Sequence, residues 1–126
     1  MLRTFKDLKV WQKSYSLCMK VYTLSRQLPR DERFELSSQL RRAAVSVPSN
    51  VAEGYNRKTT KDYVRFLWMA SGSLGELETQ LLLTKDLGLC HENVVAPVID
   101  ATAEVERMLK ALIRSLEEKQ RSSPGG

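Results

Sequence analysis

The chain has 126 residues, the size of a single domain of about 100–200 residues, and a core of that length needs neither disulfides nor metal. Its content of 42% hydrophobic and 28% charged residues, with 6 Gly and 4 Pro, excludes the disordered and collagen-like classes. The net charge of +5 is uneven, with 14 basic and 6 acidic side chains in residues 1–65 against 6 and 9 in residues 66–126, so the first half suits a polyanion such as nucleic acid.

Helical periodicity runs through almost the whole sequence, and no stretch shows the two-residue alternation of a half-buried strand, which predicts an all-α fold. The first helix is expected from about Asp7 to Leu28, stopped by Pro29. Leu8, Trp11, Tyr15, Cys18, Met19 and Tyr22 share one face. A second stripe, Val10, Leu17, Val21, Leu24 and Leu28, lies roughly 140° away. Two apolar faces need two partners, and the second stripe is expected to meet another subunit, the alternative being one wide face buried within the bundle.

The second helix is expected to begin between Asp31 and Phe34 and to end near Gly54 to Asn56, with Leu36, Leu40, Ala43, Val47 and Val51 as its core stripe. Pro48 removes a backbone hydrogen bond and crowds the carbonyl four residues earlier. The stripe nevertheless keeps its register from Val47 to Val51, which favours one helix kinked near Pro48 over two. The linker from Asn56 leads to a third helix, N-capped by Thr59 or Thr60 and running to Leu87, with Gly88 as the stop. Tyr63, Leu67, Ala70, Leu74, Leu77 and Leu81 form its seam. Within it, the run Ala70-Ser-Gly-Ser-Leu-Gly75 is costly, at about 1 kcal/mol for each glycine relative to alanine, and predicts a tight helix contact. A phosphate loop is a poor alternative, because no strand precedes the run and no Gly-Lys-Ser/Thr ends it.

The fourth helix is expected from between His91 and Asn93 to about Lys119, passing Pro97, with Val94, Val98, Ala101, Val105, Met108, Leu112 and Leu116 as its seam. Four helices on short links predict an up-down-up-down four-helix bundle over residues 1–120, followed by a disordered tail at 121–126.

Catalytic chemistry has little to draw on. The single histidine, His91, sits in a turn with no second histidine to make a metal pair. Glu-x-x-His pairs of the di-iron bundles are missing. Glu76 and Glu78 point in different directions on one helix. Cys18 and Cys90 are far apart and outside any C-x-x-C spacing, which suits core thiols in a reducing compartment. No apolar run approaches the roughly 20 residues of a membrane span, and the N-terminal stretch lacks a signal peptide's apolar core, so the expectation is a cytoplasmic protein without membrane contact. The sequence predicts no catalytic residue, cofactor or metal, and a non-enzymatic role.

Two polar features stand out. Gln39, Arg42, Ser46, Asn50, Glu53 and Arg57 align within roughly 80° on the second helix, with Glu53 and Arg57 in the favourable i,i+4 order. They are expected to form a structural polar seam that fixes the register of a helix or subunit interface, ahead of a ligand site. Basic residues fall into two candidate nucleic-acid-binding patches. One joins Arg41 with Arg57, Lys58, Lys61 and Arg65 around the connection between the second and third helices. The other is the strip Lys6, Lys9, Lys13 and Lys20 on the first helix.

The stretches from Gln39 to Arg57, with Arg42-Ala-Ala-Val-Ser-Val-Pro-Ser-Asn-Val-Ala-Glu-Gly-Tyr55 at their heart, and from Phe66 to Thr79 resemble the bacterial intervening-sequence proteins of 23S ribosomal RNA genes. The opening Phe5-Lys-Asp-Leu-Lys-Val-Trp-Gln12 is similar to that family's start. Relatives include the accessory variability protein of diversity-generating retroelements, a pentameric ring whose basic surface engages nucleic acid and reverse transcriptase. The resemblance thus implies a four-helix protomer, a homopentamer, RNA or DNA binding, and a protein partner such as a polymerase. It implies no catalytic residue. A protein-interaction scaffold without nucleic-acid binding is the second reading.

Overall fold

The computed structural model describes residues 2–32 and 35–122. Four helices account for most of them: α1 (Lys9–Ser25), α2 (Leu36–Tyr55), α3 (Thr60–Asp86) and α4 (Glu92–Ser122). Two single 3-10 turns, Phe5–Asp7 and Arg30–Glu32, precede α1 and α2, and no strand occurs among the described residues. Short connections make sequence neighbours antiparallel. α1 and α3 each pack on both α2 and α4, so they stand diagonally across a four-helix bundle.

Helix ends have local causes. The Thr4 hydroxyl accepts from the Lys6 amide at 3.1 Å, while the Asp7 carboxylate accepts from the Thr4 and Arg3 amides. This capping box closes a turn of its own, and the chain is extended at Leu8, which delays α1 to Lys9. At the other end α1 stops at Ser25, because the Gln27 and Leu28 amides bond back only three residues, to Leu24 and Ser25. α2 passes through Pro48 as one helix. Thr59 caps α3, its hydroxyl accepting from the Asp62 amide, and Gly88 ends that helix region with φ at +68°. Arg121 and Ser122 belong to the last turn of α4, whereas Phe34 and the tail positions 123–126 lie outside the described residues.

The core corrects the expected role of α1's second stripe. Val10, Leu17, Val21 and Leu24, assigned from sequence to another subunit, are buried inside the protomer, and Leu28 joins them just beyond the helix. Of the other stripe, Leu8 is buried and Trp11, Cys18 and Tyr22 are half-buried, while Tyr15, at 52%, and Met19, at 60%, are exposed. Branched aliphatic side chains fit the narrow space beside Ala43, Ala44 and Val47 of α2, whereas a tyrosine hydroxyl needs water or a partner. The α2 stripe is buried as expected, as are Leu67, Ala70, Leu74, Leu77 and Leu81 of α3.

In α4 the buried positions are Val95, Val98, Thr102, Val105, Leu109 and Ile113, so the expected seam is one residue out of register over most of its length. Val94, Ala101, Met108, Leu112 and Leu116 flank the core half-buried. Thr102 explains the shift: its hydroxyl donates to the Val98 carbonyl at 2.8 Å, which lets a polar residue occupy a core position.

The tight contact expected at the Ser-Gly-Ser run is also elsewhere. Gly72 and Gly75 are exposed, and a Cβ on either would meet nothing within 4 Å. Ser71 and Ser73 make the contacts there instead, Ser71 to Glu106 of α4 and Ser73 to Ser46 of α2. The crowded glycine is Gly54, where a Cβ would lie 3.0 Å from Phe66 Cβ and from the Tyr63 carbonyl oxygen. A Cβ there requires the facing Tyr63 and Phe66 of α3 to give way.

Candidate nucleic-acid interface

Antiparallel threading sorts the charge along the bundle axis. The contacts Ser46–Ser73, Ser71–Glu106 and Lys13–Glu104 mark one level near its middle. Among the described residues, the end built from residues 2–16, 46–73 and 104–122 holds thirteen basic and seven acidic side chains. The opposite end holds six basic and eight acidic ones. The positive excess is therefore a property of one end of the bundle, and α4's C-terminal Arg114, Lys119 and Arg121, from the acidic half of the sequence, contribute to it.

At that end the α2–α3 connection carries Arg57, Lys58, Lys61 and Arg65. Gly54 lets the two helices close on each other, so Tyr55 meets Tyr63 edge-on at 6.1 Å and Phe66 comes under both arginines. The Arg57 and Arg65 guanidinium carbons each stand 4.5 Å from the Phe66 ring centroid. Arg57 also pairs with Glu53 at 2.6 Å, and Arg65 with Asp62 at 3.6 Å. These contacts hold two long side chains in place, while Lys58 and Lys61 are exposed and make no ion pair among the described residues. Arg57 and Lys58 follow the C-terminus of α2, where cations are favoured by the helix dipole, and Lys61 sits at the N-terminus of α3, where they are not. Burial, with the neighbouring Tyr55 adding to it, pushes the Tyr63 phenol up to about 12, so it is a neutral group beside this corner.

Arg41 is separate from this corner. It lies on α2 fourteen residues before that helix ends at Tyr55, about 21 Å along the axis, and turns to α1, where its Nε donates to Ser25 Oγ at 2.8 Å and its guanidinium covers Tyr22. The lysine strip of α1 is also divided. Lys6 lies in the leading 3-10 turn near the Phe5 ring, and Lys9 is exposed at the start of α1. Lys13 pairs with Glu104 of α4 at 2.9 Å. That bond, helped by the charges of Lys13, Arg107 and Lys20, holds the Glu104 carboxyl below its ordinary range, so Lys13 and Lys20 face a carboxylate.

Hydrogen bonds tie the polar seam of α2 together in its middle. Ser46 and Ser73 hydroxyls are 2.7 Å apart, and the Asn50 amide donates to the Ser46 carbonyl and hydroxyl at 2.9 and 3.0 Å. Glu53 and Arg57 continue it as the ion pair above. Gln39 and Arg42, together with Ser46 and Ser73, line an open cleft of about 330 Å³ whose α3 wall carries Glu76 and Gln80, and the Arg42 guanidinium donates to Ser38 Oγ at 3.2 Å. Among the described residues no group of His, Cys, Asp and Glu could hold a metal, and no helix is long and apolar enough to cross a membrane.

The sequence model of the 23S rRNA-intervening sequence proteins matches residues 6–111. The chain belongs to that family. Its fold is similar to that of a protein of unknown function from the S23 ribosomal protein family of Bacteroides thetaiotaomicron VPI-5482, with a TM-score of 0.78 and 21% identity over 82% of this chain and 97% of the other. No curated protein matches.

In this intervening-sequence protein, sequence reasoning missed four residues that shape the interface. Phe66 carries both arginines; it stands at the i+3/i+4 spacing between Tyr63 and Ala70, which marks it as buried but not as the ring beneath two guanidinium groups. Ser73 lies in the Ala70-to-Gly75 run, where the helix cost of the glycines hides the serine. Trp68 is 47% exposed, with the Lys110 ammonium 5.7 Å from its ring centroid, and only a helix-wheel reading of α3 with α4 beside it finds that pair.

Proposed function

We propose that the protein is a non-enzymatic homo-oligomer that binds nucleic acid by its phosphate backbone. The observation that supports binding is the concentration of basic side chains at one end of an otherwise balanced bundle, Lys58 and Lys61 above all, which form no ion pair among the described residues. Such a surface attracts a phosphate chain without reading bases. It suits RNA and DNA alike.

Self-association is supported by the outward stripe of α1. Phe5, Trp11, Tyr15, Cys18 and Met19 face Val45, Pro48 and Ala52 of α2 across an open apolar groove of about 370 Å³. Exposed apolar area of that kind is commonly covered by another protein surface. A second copy is the partner in this reading, and a pentamer is the assembly the family resemblance implies. The cytoplasm is the expected location, since both cysteines are free thiols.

The test is a titration of purified protein with RNA and with DNA at about 50 and 200 mM salt. Binding that weakens steeply between the two supports the reading. Absence of binding at the lower salt contradicts it and leaves the second reading, a scaffold for a protein partner such as a polymerase.

A further inference from the structure

The outer face of α3 carries a second feature at the cationic end. Lys61, Arg65 and Trp68 follow one another at steps of four and three residues and fall within roughly 60° of helix surface. All three are exposed. Lys110 reaches across from α4 to the Trp68 ring while pairing with Glu106 at 3.3 Å. An indole of this exposure, with an ammonium over it and two further cations within about 10 Å along the helix, combines a stacking platform with charges for the flanking phosphates.

We infer that Lys61, Arg65, Trp68 and Lys110 form a binding strip for single-stranded nucleic acid, in which an unstacked base lies on the Trp68 ring and the adjoining phosphates meet the three cations. The inference rests on the nucleic-acid reading above and narrows it. A base within a duplex has both faces occupied by its neighbours, so only a loop, bulge or single strand can use the ring. An exposed lysine–indole contact is weaker than base–aromatic stacking, so the base displaces the ammonium, and the lysine stem is long enough to move it to a phosphate. A second copy of the chain is a poorer occupant. Covering Trp68 with an apolar surface would bury cations that a phosphate chain neutralises. Of the other exposed large apolar side chains of α3, Met69 follows Trp68 but is turned about 100° from it around the helix, and Leu82 and Leu83 lie about 21 Å further along, toward the opposite end.

The experiment uses Trp11→Phe protein, in which Trp68 is the sole tryptophan, and follows its fluorescence on titration with oligo(U), oligo(dT) and an RNA duplex of equal length. Single strands are expected to quench the emission and the duplex is not. Trp68→Ala is expected to weaken single-strand affinity about ten-fold while leaving the duplex unchanged, and Trp68→Phe to recover most of the loss. Because Trp68 is half exposed, these variants retain the fold, which circular dichroism checks. Binding of all three probes without quenching, or an unchanged affinity in Trp68→Ala, overturns the inference and leaves the phosphate-binding reading standing. Failure of every probe to bind at low salt overturns both. A shift of Trp68→Ala to smaller species in sedimentation, with nucleic-acid affinity unchanged, overturns the inference in favour of a contact between copies.

Discussion

Replacing Gly54 by alanine tests whether close approach of α2 and α3 builds the basic corner. The new methyl would sit 3.0 Å from Phe66 Cβ, 3.0 Å from the Tyr63 carbonyl oxygen and 3.1 Å from Tyr63 Cδ1. Two of these three atoms are backbone or attached directly to it, so the helices must part by about half an ångström to restore ordinary contact. Overpacking of this kind costs about 1–3 kcal/mol. The glycine-to-alanine gain in helix propensity offsets about 1 kcal/mol of it. The net expectation is a loss of about 0–2 kcal/mol. Gly72→Ala and Gly75→Ala provide the reference, since nothing stands within 4 Å of either and each is expected to gain about 0.5–1 kcal/mol. Urea unfolding at fixed protein concentration measures all three, and the difference between Gly54→Ala and Gly72→Ala isolates the crowding at about 1–3 kcal/mol. If Gly54→Ala is stabilised as much as the two surface variants, the close approach is not a constraint and the reasoning fails.

The α4 register predicts that Leu109→Ala loses about 2–5 kcal/mol in the same assay, and that Met108→Ala, at the flank of the core, loses less than half as much. Equal losses would restore the register expected from sequence. Glu104 is held below its ordinary range by Lys13, so its small contribution to stability is present above the unfolded carboxyl value and disappears as pH falls through the folded one. Carboxyl NMR titration of Lys13→Gln is expected to show the Glu104 midpoint move upward, and an unmoved midpoint would refute the pairing. For self-association, Met19→Lys on the outward stripe is expected to shift sedimentation toward the monomer with circular dichroism unchanged, whereas Val21→Lys on the buried stripe is expected to unfold the protein. A Met19→Lys protein that sediments as the parent does would remove the groove from the interface.

What the sequence discloses depends on whether one helix or several must be known. The α3 seam is legible because Leu67, Leu74, Leu77 and Leu81 repeat on a single face, and Thr59 and Gly88 bracket it with their own backbone chemistry. In α1 both faces are apolar, so periodicity finds two stripes but does not say that the aliphatic one turns inward. Thr102 is invisible as a core residue until its hydroxyl is seen to bond its own helix. Glycines mislead for the same reason. Gly72 and Gly75 look important by their cost, yet only the neighbour of Gly54 shows which glycine is required. The site follows suit: Arg57, Lys58, Lys61 and Arg65 are close in sequence and share one connection, whereas Arg41, expected beside them because it points away from the polar seam, belongs to the α1 contact. Lys119 and Lys58 share one end of the bundle only because α4 returns antiparallel to α3.

The claim that the cationic end holds the phosphates is tested most directly by the salt dependence of single-strand affinity. Each neutralised phosphate of a single strand adds about 0.7 to the slope of log affinity against log salt. Changing Lys58, Lys61 and Arg65 together to glutamine is expected to reduce that slope by about 2. Lys20→Gln with Lys85→Gln, toward the other end, is expected to leave it unchanged. The same slope in the triple variant as in the parent protein would contradict the account.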